Sequence, residues 1–113
     1  MSFLRRRSAL VAGAAGACLM VLGGPTTATA AVQYYPVAPG VELNVRSGPG
    51  TAYSIVRTLP VGASVPINCQ TPGTTVSGYY GTSNIWDNIG NGQYVSDTYV
   101  KTGSDGYVTG RCG

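Results

Sequence analysis

Covalent or acid–base catalysis needs titratable side chains, and this 113-residue chain carries few of them. It has no histidine, three cysteines and four carboxylates: Glu42, Asp87, Asp97 and Asp105. Without an imidazole, the Ser–His and Cys–His schemes of nucleophilic catalysis have no base. A paired-carboxylate hydrolase needs two acids flanking a cleft at roughly 5–9 Å. Asp105 lies in a Gly-Ser-Asp-Gly turn, and Asp97 follows Ser96 where a single helical turn would start; both are ordinary settings for aspartate. The reading is a protein that is not an enzyme. Two thiols without further soft ligands do not make a metal centre, so no metal and no cofactor are expected.

The residues left to carry a function are aromatic. Eight tyrosines and one tryptophan are more than a small domain buries completely. Exposed Tyr and Trp supply large, rigid contact area at low entropic cost. That chemistry is binding.

The compartment is read from the amino-terminal residues. Arg5, Arg6 and Arg7 precede an apolar run over residues 9–22, and Ala28-Thr29-Ala30 closes the segment. A charged region, an apolar region and a small-x-small site predict a secretory signal peptide over residues 1–30, cleaved after Ala30. The run is shorter than the roughly 18–20 residues of a spanning helix, so no membrane insertion is expected after cleavage. The Arg5-Arg6 pair keeps twin-arginine export as an alternative to the general route. Cys18 sits inside the apolar run with Leu19-Met20-Val21-Leu22 still to follow, which favours ordinary export over lipidation.

Export changes both charge and thiol bookkeeping. The net charge of +3 resides in the three leader arginines. Beyond them Arg46, Arg57, Lys101 and Arg111 balance Glu42, Asp87, Asp97 and Asp105, so nothing electrostatic points to nucleic acid. Cys69 and Cys112 remain as an even pair in an oxidising compartment, and a Cys69–Cys112 disulfide is predicted. A staple closing so long a loop is worth roughly 4 kcal/mol in the chain-entropy model, and small cores depend on such help.

The elements that must position these residues read as all-β. Short β-branched and aromatic runs alternate with Gly, Pro, Asn and Asp breakers, and no long stretch has helical apolar spacing. Residues 31–39 read as a flexible lead-in. Residues 41–46 alternate, with Val41, Leu43 and Val45 on one face. Ser47-Gly48-Pro49-Gly50 reads as a turn using glycine's backbone freedom on both sides of the proline. Residues 53–59 form a second extended piece with Tyr53, Ile55 and Leu59 inward, and residues 64–69 a third. Residues 76–80 and 84–89 pair around Gly81, Gly90-Asn91-Gly92 tips a hairpin, and Tyr94-Val95 is a short strand before a helical turn at 96–98. The core is read as Leu43, Val45, Val56, Leu59, Val65, Ile67 and Ile89, and Arg46 as pairing with an acid or a carbonyl.

The run Leu43-Asn44-Val45-Arg46-Ser47-Gly48-Pro49-Gly50-Thr51-Ala52-Tyr53 closely resembles the opening motif of bacterial SH3-like domains. Val56, Leu59, Gly62 and Val65 continue the family's spacing. Trp86-Asp87-Asn88-Ile89 and Gly92-Gln93-Tyr94-Val95-Ser96-Asp97-Thr98-Tyr99-Val100 are similar to its ending. The resemblance covers residues 41–100 and implies a small SH3-like β-barrel within residues 40–113. Residues 70–85 depart from the pattern as a Thr-, Gly- and Ser-rich insertion, and residues 101–113 as a tail. The tail is expected to add a strand or hairpin, stapled by the disulfide.

What the resemblance implies is a secreted or cell-wall-associated module that binds peptidoglycan or another peptide-like ligand in a groove. The ligand-binding candidates are Tyr53, Trp86, Tyr94 and Tyr99, with Asn44 as polar neighbour; Trp86 and Tyr94 have the competing role of filling the barrel. The partner is a cell-wall peptide or, alternatively, a secreted protein engaged by residues 70–85, and the chain is expected to be a monomer.

Overall fold

Alternation fixes the first long strand. In the computed structural model, which describes residues 32–113, Leu43 and Val45 are buried while Asn44 between them is exposed. The predicted leader at residues 1–30 lies outside the described residues. Seven strands follow in chain order: β1 Tyr34–Pro36, β2 Leu43–Arg46, β3 Ile55–Leu59, β4 Ser64–Pro66, β5 Cys69–Gly78, β6 Gly81–Gly90 and β7 Gln93–Ser96, with a 3₁₀ turn at Asp97–Tyr99. The fold is all-β. Five strands form an antiparallel sheet in the order β3-β2-β7-β6-β5, and β1 pairs antiparallel with β4. The five-stranded sheet is not closed; β3 and β5 are its edges.

The core lies on one face of this sheet. Leu43, Val45, Leu59, Val65, Ile67, Ile89 and Val95 pack with Val37 and Val100. Val37 and Ala38 are buried, and Tyr34 to Pro36 pair with β4. Residues 34–38 are therefore structural, and the expectation of a flexible lead-in over 31–39 is corrected. Their apolar side chains and strand hydrogen bonds recruit them to the core.

Three further expectations change. Val56, read as core, is half exposed, as are Ile55 and Tyr53, both read as inward. The cause is position: β3 has a neighbour on one side only, and a bulge between Val45 and Arg46 shifts its register, pairing Arg57 with Val45 and Ile55 with Arg46. Residues 64–69 are not one strand, because β4 ends at Pro66 and Cys69 opens β5. Residues 70–85, read as an insertion, pair around Gly81 as expected for 76–80 and 84–89, but the ladder runs further than expected. They supply most of β5 and the first half of β6, which pair from Cys69↔Asn88 to Gly78↔Gly81 across an irregularity between Pro72 and Val76.

The disulfide forms as predicted, Cys69–Cys112 with Cα atoms 5.0 Å apart. The tail, however, adds a single parallel bridge, Gln70↔Arg111, rather than a strand or hairpin. Its glycine-rich turns leave too few consecutive extended residues for a ladder. Among the described residues no helix is long and apolar enough to cross a membrane.

Candidate functional site

Absence of side chains shapes the ground beneath the site. The turn after β2 uses Gly48 and Gly50 for space rather than for backbone freedom, since neither has a positive φ. A Cβ on Gly48 would lie 2.4 Å from the Tyr53 ring. A Cβ on Gly73 in β5 would lie 1.8 Å from the Pro49 carbonyl oxygen and 2.9 Å from Cδ1 of Trp86. The irregular part of β5 thus seats directly on the Pro49 turn. Thr74 clamps the contact: its Oγ1 accepts from the Thr51 N–H at 3.2 Å, and its carbonyl accepts from the Trp86 indole N–H at 2.8 Å. Arg46 donates through Nη1 to the carbonyls of Thr51 and Tyr53, at 3.2 and 2.9 Å.

This junction closes one end of a cleft of about 330 Å³ between the outward face of β2 and the β5–β6 hairpin. Asn44 and Arg46 line it from β2, Val76 from β5, Trp86 from β6, and Tyr99 from the 3₁₀ turn. Glu42 and Ser96 add polar groups. Cross-strand pairing places these residues on a common face: Arg46 stands opposite Tyr94, and Trp86 opposite Ser96. The size and mixed lining suit a small ligand or a short extended segment.

The structure brings Asn44, Trp86 and Tyr99 together around this cleft. Asn44 is exposed and accepts a hydrogen bond from Thr58 at 3.1 Å. Trp86 is almost wholly buried, at 2 % exposure, and bonded through its indole nitrogen, so it builds the wall more than it offers contact area. Tyr99 is half-buried and packs partly on the core. Tyr53 and Tyr94 are not among the cleft-lining residues. Tyr53 lies exposed over Gly48, and Tyr94 is half-buried on β7.

Sequence reasoning missed a buried polar network on the other face of β6. Gln70 and Asp87 are fully buried and are direct cross-strand partners. The Gln70 amide nitrogen donates to Oδ1 of Asp87 at 2.7 Å and to Oδ1 of Asp97 at 3.3 Å. Its Oε1 accepts from the backbone N–H groups of Val108 and Thr109, at 2.7 and 3.1 Å. Its backbone receives Cys112 and donates to Gly110. One glutamine therefore ties the tail to two acids beside the disulfide.

Asp97 lies close enough to Asp87 for its charge to disfavour a second one. Burial, reinforced by the neighbouring Asp97, pushes the Asp87 carboxyl from 3.8 up to about 9, with Gln70 opposing. Burial also raises Asp97, against the hydrogen bonds from Asp87 and Gln70. Oδ2 of Asp87 is buried without a hydrogen-bond partner. No sequence signal marks this pair; Asp87 sits in a motif whose neighbours Trp86 and Ile89 draw attention first.

These features define the class: a disulfide-stapled all-β domain with an aromatic and polar cleft beside a motif-built turn. Among known proteins the chain is similar to the uncharacterized proteins YraJ and YraI of Bacillus subtilis (strain 168). It is 58% identical to YraJ over 52 residues and 50% identical to YraI over 52 residues. Each match covers 39% of this chain and 44% of the relative, so the chain spans less than half the length of the curated relatives it matches. No family model matches the chain.

Proposed function

We propose that this chain is a secreted, non-catalytic binding domain of the bacterial SH3-like kind, recognising a peptide-like ligand of the cell wall. The observation that carries the reading is the cleft of about 330 Å³ in which Asn44, Arg46 and Glu42 face Tyr99 and the Trp86 wall. An extended peptide offers alternating donors and acceptors to such polar side chains while its apolar groups contact the aromatic wall. The cross-link between Cys69 and Cys112 fits an oxidising compartment. Asp87 and Asp97 do not act as a hydrolase pair in this reading, because Asp87 is fully buried and neither lines the cleft.

Binding of the oxidised protein to purified peptidoglycan sacculi tests this. Asn44→Trp fills the cleft from an exposed position and is expected to abolish saturable binding, whereas Tyr53→Ala, outside the lining, is expected to retain it. No saturable binding by the wild type, or equal binding by Asn44→Trp, refutes the proposal. A protein partner engaged at residues 70–85 has one observation in its favour, the exposed ring of Tyr79 at the β5–β6 tip. Loss of partner capture in Tyr79→Ser with Asn44→Trp unaffected would favour that reading.

A further inference from the structure

The 3₁₀ turn Asp97–Tyr99 separates two cavities. Tyr99 lines the cleft described above, while Asp97 and Thr98 line a second cavity of about 260 Å³ under the β5–β6 tip. Its other walls are Tyr80, Thr82 and Ser83 from the hairpin and Ser104 and Asp105 from the tail. An adjoining hollow of about 230 Å³ shares Tyr80, Ser104 and Asp105. Together they reach the roughly 300–1,000 Å³ typical of small-molecule sites.

This second site is built rather than incidental. The Tyr80 N–H donates to the Thr98 carbonyl at 2.9 Å. Gly78 lets the hairpin backbone reach the 3₁₀ turn, since a Cβ there would lie 2.5 Å from Oγ1 of Thr98. Tyr79 packs edge-to-face on Tyr80 with ring centroids 4.8 Å apart, which orients the Tyr80 ring. On the opposite wall, Ser104 Oγ accepts from the Gly106 N–H at 3.0 Å, and Thr102 and Ser104 bond each other. The aromatic ring and the hydroxyls are therefore held before any ligand arrives.

The lining specifies the ligand's chemistry. Thr82, Ser83 and Ser104 each keep donor and acceptor capacity beyond their internal bonds, and the carboxyls of Asp97 and Asp105 accept. No arginine or lysine lines the 260 Å³ cavity, and the one cation of the adjoining hollow, Lys101, shares it with the Asp105 carboxylate, so the combined lining offers an anion no net positive charge. A ligand that both donates and accepts around its rim, and presents an apolar C–H face to an aromatic ring, is a sugar. We propose that this cavity is a saccharide-binding subsite, with Tyr80 as the stacking platform and Ser83, Ser104, Asp97 and Asp105 as hydroxyl partners. A primary ammonium is the competing donor, but burial raises Asp97 toward its neutral form, which lowers the negative charge such a cation needs. The inference does not rest on the peptide reading of the first cleft, because the two cavities have no lining residue in common.

Amide NMR titration of the oxidised protein tests it, with chitotetraose and maltotetraose as neutral probes and a fully deacetylated chitosan tetramer as the cationic one. Saturable shifts at Thr82, Ser83, Ser104 and Asp105 with a neutral probe are expected. Tyr80→Ala should weaken that binding about tenfold or more, and Asp105→Asn severalfold. Both positions are exposed, and unchanged amide shifts in β2 and β7 verify the fold. Asn44→Trp should leave saccharide affinity unchanged. The proposal is overturned if neither neutral probe gives saturable shifts, if the shifts map to the Asn44 cleft, or if Tyr80→Ala binds as tightly as wild type. Binding of the cationic tetramer alone would overturn it in favour of an ammonium site.

Discussion

Replacing Asp87 by Asn should stabilise this protein above neutral pH, and the reason lies in one proton. Asp87 is fully buried, and Oδ1 accepts from Gln70 while Oδ2 has no protein donor. With its carboxyl pushed up to about 9, the folded protein holds a proton that the unfolded chain, with Asp near 3.9, has released. The folded-state value lies above the unfolded one. Stability from this group is therefore complete below about pH 4 and is lost as pH rises toward 9. The slope is at most about 1.4 kcal/mol per pH unit for one differential proton. Asn supplies the same shape without a titratable group: its Oδ1 keeps the Gln70 bond, and no buried charge forms as the pH rises.

Urea unfolding with the disulfide intact, followed by Trp86 fluorescence, reads this directly. Wild-type stability is expected to fall between about pH 5 and pH 8. Asp87→Asn should flatten that slope and gain about 1–3 kcal/mol at the upper end, the scale of relieving an unsatisfied buried group. A wild-type curve that rises over this window, or an Asn variant less stable than wild type at the upper end, would show that the dyad is ionised and the argument wrong.

Three other perturbations follow from the packing. Reduction, or Cys69→Ser with Cys112→Ser, should cost roughly 4 kcal/mol, measured by urea unfolding, and should speed hydrogen exchange at Val108 and Thr109, whose amides depend on Gln70. Gly73→Ala drives a methyl to within 1.8 Å of the Pro49 carbonyl oxygen; a loss of about 3 kcal/mol or more is expected in thermal unfolding. Val56→Lys on the exposed edge strand β3 should change stability by less than about 0.5 kcal/mol while reducing concentration-dependent association in light scattering, since a charge blunts an open edge.

The parts legible in sequence were those governed by local periodicity. Leu43, Val45, Leu59, Val65 and Ile89 are buried as their spacing predicts, because each sits on a strand whose inward face is set by alternation; Ile67 is buried too, from the link between β4 and β5. The Asn91-Gly92 turn and the Ser96-capped helical turn form where their residues place them. The Cys69–Cys112 bond followed from counting. Sequence failed where the answer depends on sheet order. Ile55 and Val56 look like core residues, yet β3 is an edge, and no local pattern distinguishes an edge strand from a central one. Residues 70–85 look like an insertion because they depart from the family's pattern, and the Gly- and Ser-containing stretch before Val76 hides that β5 already begins at Cys69.

The same limit explains why the candidate site was only partly legible. Trp86 and Tyr99 stand out in sequence as aromatics, and they do converge on one cleft with Asn44; the convergence comes from the β2–β7–β6 register, which sequence does not contain. Tyr53 stands out on the same grounds yet lies apart from that lining, because Gly48 gives its ring a place to lie. Asp97 reads in sequence as a turn residue but floors a second cavity and accepts from the buried Gln70 amide. Its side chain is committed by contacts with Gln70, seventeen to twenty-seven positions away from the residues it joins. Chemistry assembled across such separations is invisible to spacing and becomes readable only when strand order brings the groups together. In this fold one 3₁₀ turn does that twice, sending Tyr99 to one cavity and Asp97 to the other.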